Sequence, residues 1–74
     1  MNIWDTLDEI DKIATVVCWD QQEGDYTVTA TGDKASEIIK ILKDNDIWYE
    51  AKNAKDVDNI VNIDICLFRR GSVK

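Results

Sequence analysis

Histidine and proline are absent from the 74-residue sequence, which contains two cysteines and three glycines. Without histidine, the chain lacks the usual general base of enzymes and the residue that orients most catalytic triads. The two serines, Ser36 and Ser72, have no base at a spacing that would activate them, and no cations flank the cysteines to favour a thiolate. We therefore expect a protein that binds a partner and is not an enzyme.

Metal ligands are also scarce. Cys18 and Cys66 lie in separate apolar runs without CxxC spacing, so both are expected to be small buried hydrophobic residues. A disulfide between them would require neighbouring strands, and the sequence leaves this open. The acidic runs at 44–46 and 56–59 lack the glycine and distal glutamate of an EF-hand loop, and Gly32 with Asp33 is expected to cap a helix. We expect no metal ion and no cofactor.

Long apolar runs are missing too. No stretch approaches the roughly 18 residues that a membrane span needs, and the first residues are acidic where a secretory signal would be basic. This pattern favours a cytoplasmic protein that does not bind membranes. With no proline and few glycines there is no linker, so residues 1–70 are predicted to form a single domain and 71–74 a frayed basic tail.

Two segments show the apolar spacing of helices. Ile3, Leu7 and Ile10 predict a first helix that runs to about residue 13, with Asn2 as its N-cap. A second helix is predicted to begin after Gly32, with Asp33 as N-cap, and to end at Asn45 in a left-handed conformation. Its apolar stripe consists of Ala35, Ile38, Ile39 and Leu42.

Four segments show the alternation or β-branched composition of strands, at 15–20, 26–31, 47–52 and 61–68. The order is α-β-β-α-β-β, and its two halves resemble each other in architecture. We predict an α+β fold, with a four-stranded, largely antiparallel sheet and two helices packed on one face. The core-facing strand residues would include Val61, Ile63, Ile65 and Leu67, and the other face of the sheet would remain open.

Charge is unevenly distributed along the chain. Residues 1–33 contain eight acids and one lysine, a net charge of −7, whereas residues 34–74 contain seven acids and eight bases, a net charge of +1. This asymmetry indicates a negative surface that would attract a basic protein and repel nucleic acid. The alternative is that the acids only keep a small protein soluble. The candidate partner-binding acidic residues are Asp5, Asp8, Glu9, Asp11, Asp20, Glu23 and Asp25.

A second candidate surface is the open sheet face. Strand alternation places Trp48, Cys66 and Phe68 there among threonines, a composition typical of interaction surfaces. Either Trp19 or Cys18 would join them, depending on the direction that strand one faces. The alternative is that Trp48 and Phe68 merely cover the edge of the sheet.

No family motif occurs in the sequence, so three hypotheses remain. The leading one is a non-enzymatic acidic interaction module, such as a phage or mobile-element inhibitor that blocks a basic nucleic-acid-binding host enzyme, for example a nuclease. The second is a homodimer or larger homo-oligomer that binds a small ligand or has a regulatory role, using its open sheet face. The third is a minimal enzyme that uses carboxylates alone, Glu50 with Asp64.

Overall fold

The computed structural model describes residues 3–55 and 57–70 of the chain, so the predicted cap Asn2 and the predicted tail 71–74 lie outside the described residues. Its elements follow one another as α1 (Ile3–Ile13), β1 (Thr15–Asp20), β2 (Asp25–Thr31), α2 (Gly32–Asp44), β3 (Ile47–Asn53) and β4 (Ile60–Arg70). The predicted α+β class and the predicted element order are confirmed.

The four strands form one antiparallel sheet in the order β1-β2-β4-β3. Each half of the chain contributes a helix followed by a hairpin, and the second strand of each hairpin lies at the centre of the sheet. The central strands β2 and β4 pair over seven residues, from Asp25 opposite Cys66 to Thr31 opposite Ile60. The first strands, β1 and β3, are therefore the two edges.

The core lies between the helices and one face of the sheet. Ile10 of α1 and Ile38 and Leu42 of α2 are fully buried, because helical spacing gathers apolar residues on one side of each helix. Thr6 is also buried, since it lies one turn before Ile10 on the same side of α1. The sheet contributes alternate residues, as predicted from the period of two: Tyr26, Val28, Ala30, Ile47, Ile63, Ile65 and Leu67.

The ends of α2 differ from the prediction. The N-cap is Thr31, whose side chain makes no capping hydrogen bond, so the assignment of Asp33 as the cap is wrong. The Gly32 N–H instead donates to the Asn59 carbonyl at 3.0 Å, which satisfies a free donor at the helix start from the β3–β4 connection. At the other end Asn45 has φ −105°, not a left-handed value, and its amide donates to the Ile41 carbonyl at 2.8 Å.

The β3–β4 pairing contains a break in register. Trp48 lies opposite Cys66, but Ile47 lies opposite Arg70, so residues 67–69 form an extra segment in β4. Phe68 falls within it, and its ring contacts Trp4 of α1 with centroids 6.0 Å apart and the planes at 77°. The prediction that Phe68 accompanies Trp48 on the open sheet face is therefore wrong, because strict alternation does not hold across such a break.

Candidate functional site

The acidic residues of α1 lie on its solvent-exposed side. Asp5, Asp8 and Glu9 follow the i, i+3, i+4 spacing of one helical stripe, and Asp11 lies one turn after Asp8; all four are exposed. Lys12 forms a surface ion pair with Glu9, with its Nζ 3.4 Å from Oε2. Since Lys12 is the only base between residues 3 and 25, the outer side of α1 is strongly negative.

The start of α1 lies beside the turn between β1 and β2. The Trp4 ring contacts Phe68. Phe68 in turn packs so closely on Gly24 that a β-carbon built there would lie 2.9 Å from its Cδ2. Glu23 precedes this glycine, so the β1–β2 turn presents an exposed carboxylate close to the contact that holds the start of α1. We refer to Asp5, Asp8, Glu9, Asp11 and Glu23 together as the acidic face.

Two of the seven acids predicted to bind a partner, Asp20 and Asp25, do not lie with the acids of α1. The Asp20 carboxylate accepts hydrogen bonds from the N–H groups of Gln22 and Glu23, at 3.1 and 3.2 Å, and so stabilises the turn itself. Asp25 is paired with Cys66, next to the buried Tyr26, so its side chain points to the open sheet face and away from the helices. Asp20 lies directly opposite Asp25 in the β1–β2 pairing and therefore belongs to the same side of the sheet. The structure thus separates Asp20 and Asp25 from the acids of α1.

The open sheet face carries a relay of polar side chains. The Trp19 indole N–H donates to the Thr27 hydroxyl at 2.7 Å, and this hydroxyl donates to Asp64 Oδ1 at 2.8 Å. The Trp19 side chain is nonetheless 71% exposed. The sequence left open whether Trp19 or Cys18 joins this face, and the pairing of Val17 with Thr27 decides for Trp19.

Trp48 also borders this face, and the Arg69 guanidinium lies 4.8 Å from the centroid of its ring. Glu50 lies directly opposite Asp64, as the carboxylate hypothesis required, and Lys52 Nζ is 4.0 Å from Asp64 Oδ2. The face therefore carries charged side chains in addition to the tryptophan, cysteine and threonines predicted from the sequence. Alternation did not assign Arg69 to this face, because Arg69 lies within the extra segment 67–69 at the register break.

The cysteines differ from the prediction of two buried residues. Cys18 is exposed because β1 is an edge strand, and Cys66 is half-buried on the open face. Cys18 is paired with the core-facing Tyr26, on the opposite side of the sheet from Cys66, and β2 separates the two strands. This geometry excludes a disulfide within one chain. Burial raises the pKa of the Tyr26 phenol, and the hydrogen bond and electrostatic interaction with Cys18 raise it further.

Within residues 3–55 and 57–70, no three potential metal-binding side chains lie close enough together to hold an ion. Over the same residues, neither helix has the length and apolar composition needed to cross a bilayer. Comparison with known proteins finds no matching family model, no matching curated protein and no matching solved structure. The protein is a small α+β domain.

Proposed function

We propose that this protein is a non-enzymatic interaction module whose acidic face binds a basic surface of another protein. The observation that carries the proposal is the position of the acidic helix α1 beside the β1–β2 turn, which bears Glu23. The Trp4–Phe68 contact and the close approach of Phe68 to Gly24 bring the start of α1 against the β1–β2 turn. Acids from two separate elements then act on one partner surface.

The partner class follows from the charge. Exposed carboxylates on one side of a helix have the same sign of charge as the phosphates of nucleic acid, so a cleft that binds nucleic acid would attract this face. We therefore propose a basic nucleic-acid-binding enzyme, such as a nuclease, as the protein that is blocked. A phage or mobile element is the kind of source in which such an inhibitor would be useful.

Charge reversal at three positions tests the proposal. Asp8→Lys, Asp11→Lys and Glu23→Lys alter exposed side chains of the acidic face and leave the turn-stabilising Asp20 intact. The matched control is Glu37→Lys, Asp44→Lys and Asp58→Lys, which reverses three exposed acids on α2 and the β3–β4 connection. Both triple variants bring the formal net charge from −6 to zero, so a difference between them reports position and not total charge.

The assay is a tagged capture from a lysate of the native source, with low-salt and high-salt washes and identification by mass spectrometry. We expect wild type and control to retain the same basic nucleic-acid-binding protein, and the acidic-face variant to lose it at least tenfold. Salt should release the partner, because the contacts are between exposed charges. Equal retention by the acidic-face variant, or equal loss by the control, would refute the proposal.

A further inference from the structure

Two tryptophans border a groove on the open sheet face. Trp19 and Trp48 form its sides, Asp25, Thr27 and Asp64 contribute polar groups, and its volume is about 320 Å³. The indoles come from opposite edges of the sheet, β1 and β3, whose axes are about 14 Å apart at ordinary strand spacing. The groove is thus of a size that suits one side chain entering between two aromatic rings.

The polar relay orients one carboxylate in this groove. Asp64 Oδ1 accepts the Thr27 hydroxyl at 2.8 Å, which fixes the carboxylate plane. Its other oxygen, Oδ2, lies 4.0 Å from Lys52 Nζ, which is long for a hydrogen-bonded ion pair. Asp64 Oδ2 therefore retains the capacity to accept a strong hydrogen bond from a cation.

The charged residues that line the groove, among those the structure describes, are the two carboxylates Asp64 and Asp25. Glu50 lies opposite Asp64 on the neighbouring strand, outside the lining, and so do Lys52 and Arg69. The lining itself is therefore negative, which favours a cation as the occupant of the groove.

Trp48 already contacts a guanidinium within this chain. The Arg69 carbon Cζ lies 4.8 Å from the ring centroid, the distance of a cation–π interaction. Trp48 lines the groove whereas Arg69 does not, so a part of the indole that faces the groove is left for a second cation. A guanidinium fits better than an ammonium, since it stacks flat on an aromatic ring and donates two parallel hydrogen bonds to a carboxylate.

We propose that the Trp19–Trp48 groove binds the guanidinium of an arginine side chain, with Asp64 and Asp25 as its hydrogen-bond acceptors. This inference rests on the proposed function insofar as the arginine belongs to the basic protein that the acidic face binds. The groove lies on the opposite side of the sheet from α1, so the two contacts are separable. An extended arginine-bearing segment of the partner would reach around the β1–β2 turn to fill the groove.

The test uses the whole chain and a defined probe, Nα-acetyl-arginine amide. In ¹H–¹⁵N spectra each of the three tryptophans gives one indole N–H signal, assigned by single Trp→Phe variants. We expect saturable shifts of the Trp19 and Trp48 signals with a dissociation constant in the millimolar range. The Trp4 signal should stay unchanged, because that ring lies on the helix side of the sheet against Phe68.

Two further probes examine the chemistry. Nα-acetyl-citrulline amide has nearly the shape of the arginine compound without its charge and is expected to cause no saturable shift. Nα-acetyl-lysine amide is expected to bind at least threefold more weakly. Shifts of equal size at Trp4, or equal binding of the citrulline probe, would overturn the site; equal binding of the lysine probe would overturn its assignment to guanidinium.

Variants separate this site from the acidic face. Asp64→Asn keeps an oxygen that can accept the Thr27 hydrogen bond, and it is expected to weaken arginine binding at least fivefold. Asp25→Asn alters an exposed side chain that takes no part in the Trp19–Thr27–Asp64 hydrogen bonds, and it should weaken arginine binding as well. Asp8→Asn changes the net charge equally and should alter it less than twofold. If Asp8→Asn weakens binding of the arginine probe as much as Asp64→Asn does, the groove proposal fails, whatever the capture experiment finds. Loss of partner capture with intact arginine binding would instead remove the acidic-face proposal alone.

Discussion

Gly24 offers a direct test of how the acidic face is assembled. It has φ +73°, in the left-handed region that side-chain-bearing residues rarely adopt. A β-carbon built there would lie 2.9 Å from Phe68 Cδ2 and 3.1 Å from both Leu67 Cβ and Leu67 N. The neighbours include backbone and a core residue, so they have little freedom to move away. Gly24→Ala should therefore strain the turn and displace Phe68.

The expected loss of stability in Gly24→Ala has two contributions. Placing alanine at a positive φ costs about 1–2 kcal/mol, and overpacking against a filled site costs about 1–3 kcal/mol. We expect the free energy of unfolding to fall by roughly 2–4 kcal/mol, since relaxation of Phe68 offsets part of the overpacking. For a domain of this size, such a loss lowers the melting temperature by roughly 10–30 °C.

The assay is thermal unfolding followed by far-UV circular dichroism, together with tryptophan fluorescence to report on the Trp4–Phe68 contact. Gly32→Ala is the matched control: its β-carbon would meet Asn59 Oδ1 at 2.6 Å, and that atom is the end of a mobile side chain. The control should change stability by less than about 1 kcal/mol. A melting temperature of Gly24→Ala within a few degrees of wild type would refute the reasoning.

Two further predictions concern the sheet. The folded-state pKa of Tyr26 lies above its ordinary value of 10.0, so its contribution to stability is complete below that pH and is lost as the pH rises through the folded-state value. Tyr26→Phe should therefore reduce the loss of melting temperature at alkaline pH, measured by thermal unfolding at neutral and alkaline pH. A loss equal to that of wild type would contradict this. Thr27→Val removes both hydrogen bonds of the relay and should cost about 1 kcal/mol, with faster hydrogen exchange of the Trp19 indole N–H by NMR. Thr29→Val, which breaks a separate bond to Asn62, should leave that exchange rate unchanged.

The local pattern of the sequence was enough to predict the elements and the sides of the sheet. Tyr26, Val28 and Ala30 alternate with threonines, and their burial follows from the two-residue period of a strand. Ile38 and Leu42 are buried for the equivalent reason in a helix. The unequal charge of the two halves is likewise a property of the sequence alone. These features depend on residues within one element, so they can be predicted without tertiary information.

Other features depend on contacts between distant parts of the chain, and only the tertiary structure decided them. The extra residues 67–69 in β4 direct Phe68 to Trp4, which alternation could not show because a register break cancels the period of two. The Trp19–Thr27–Asp64 relay joins three strands, and it exists because β2 lies between β1 and β4. The same strand order separates the cysteines. Strand order and register are set by the best joint packing of all elements, and for that reason a local pattern does not determine them.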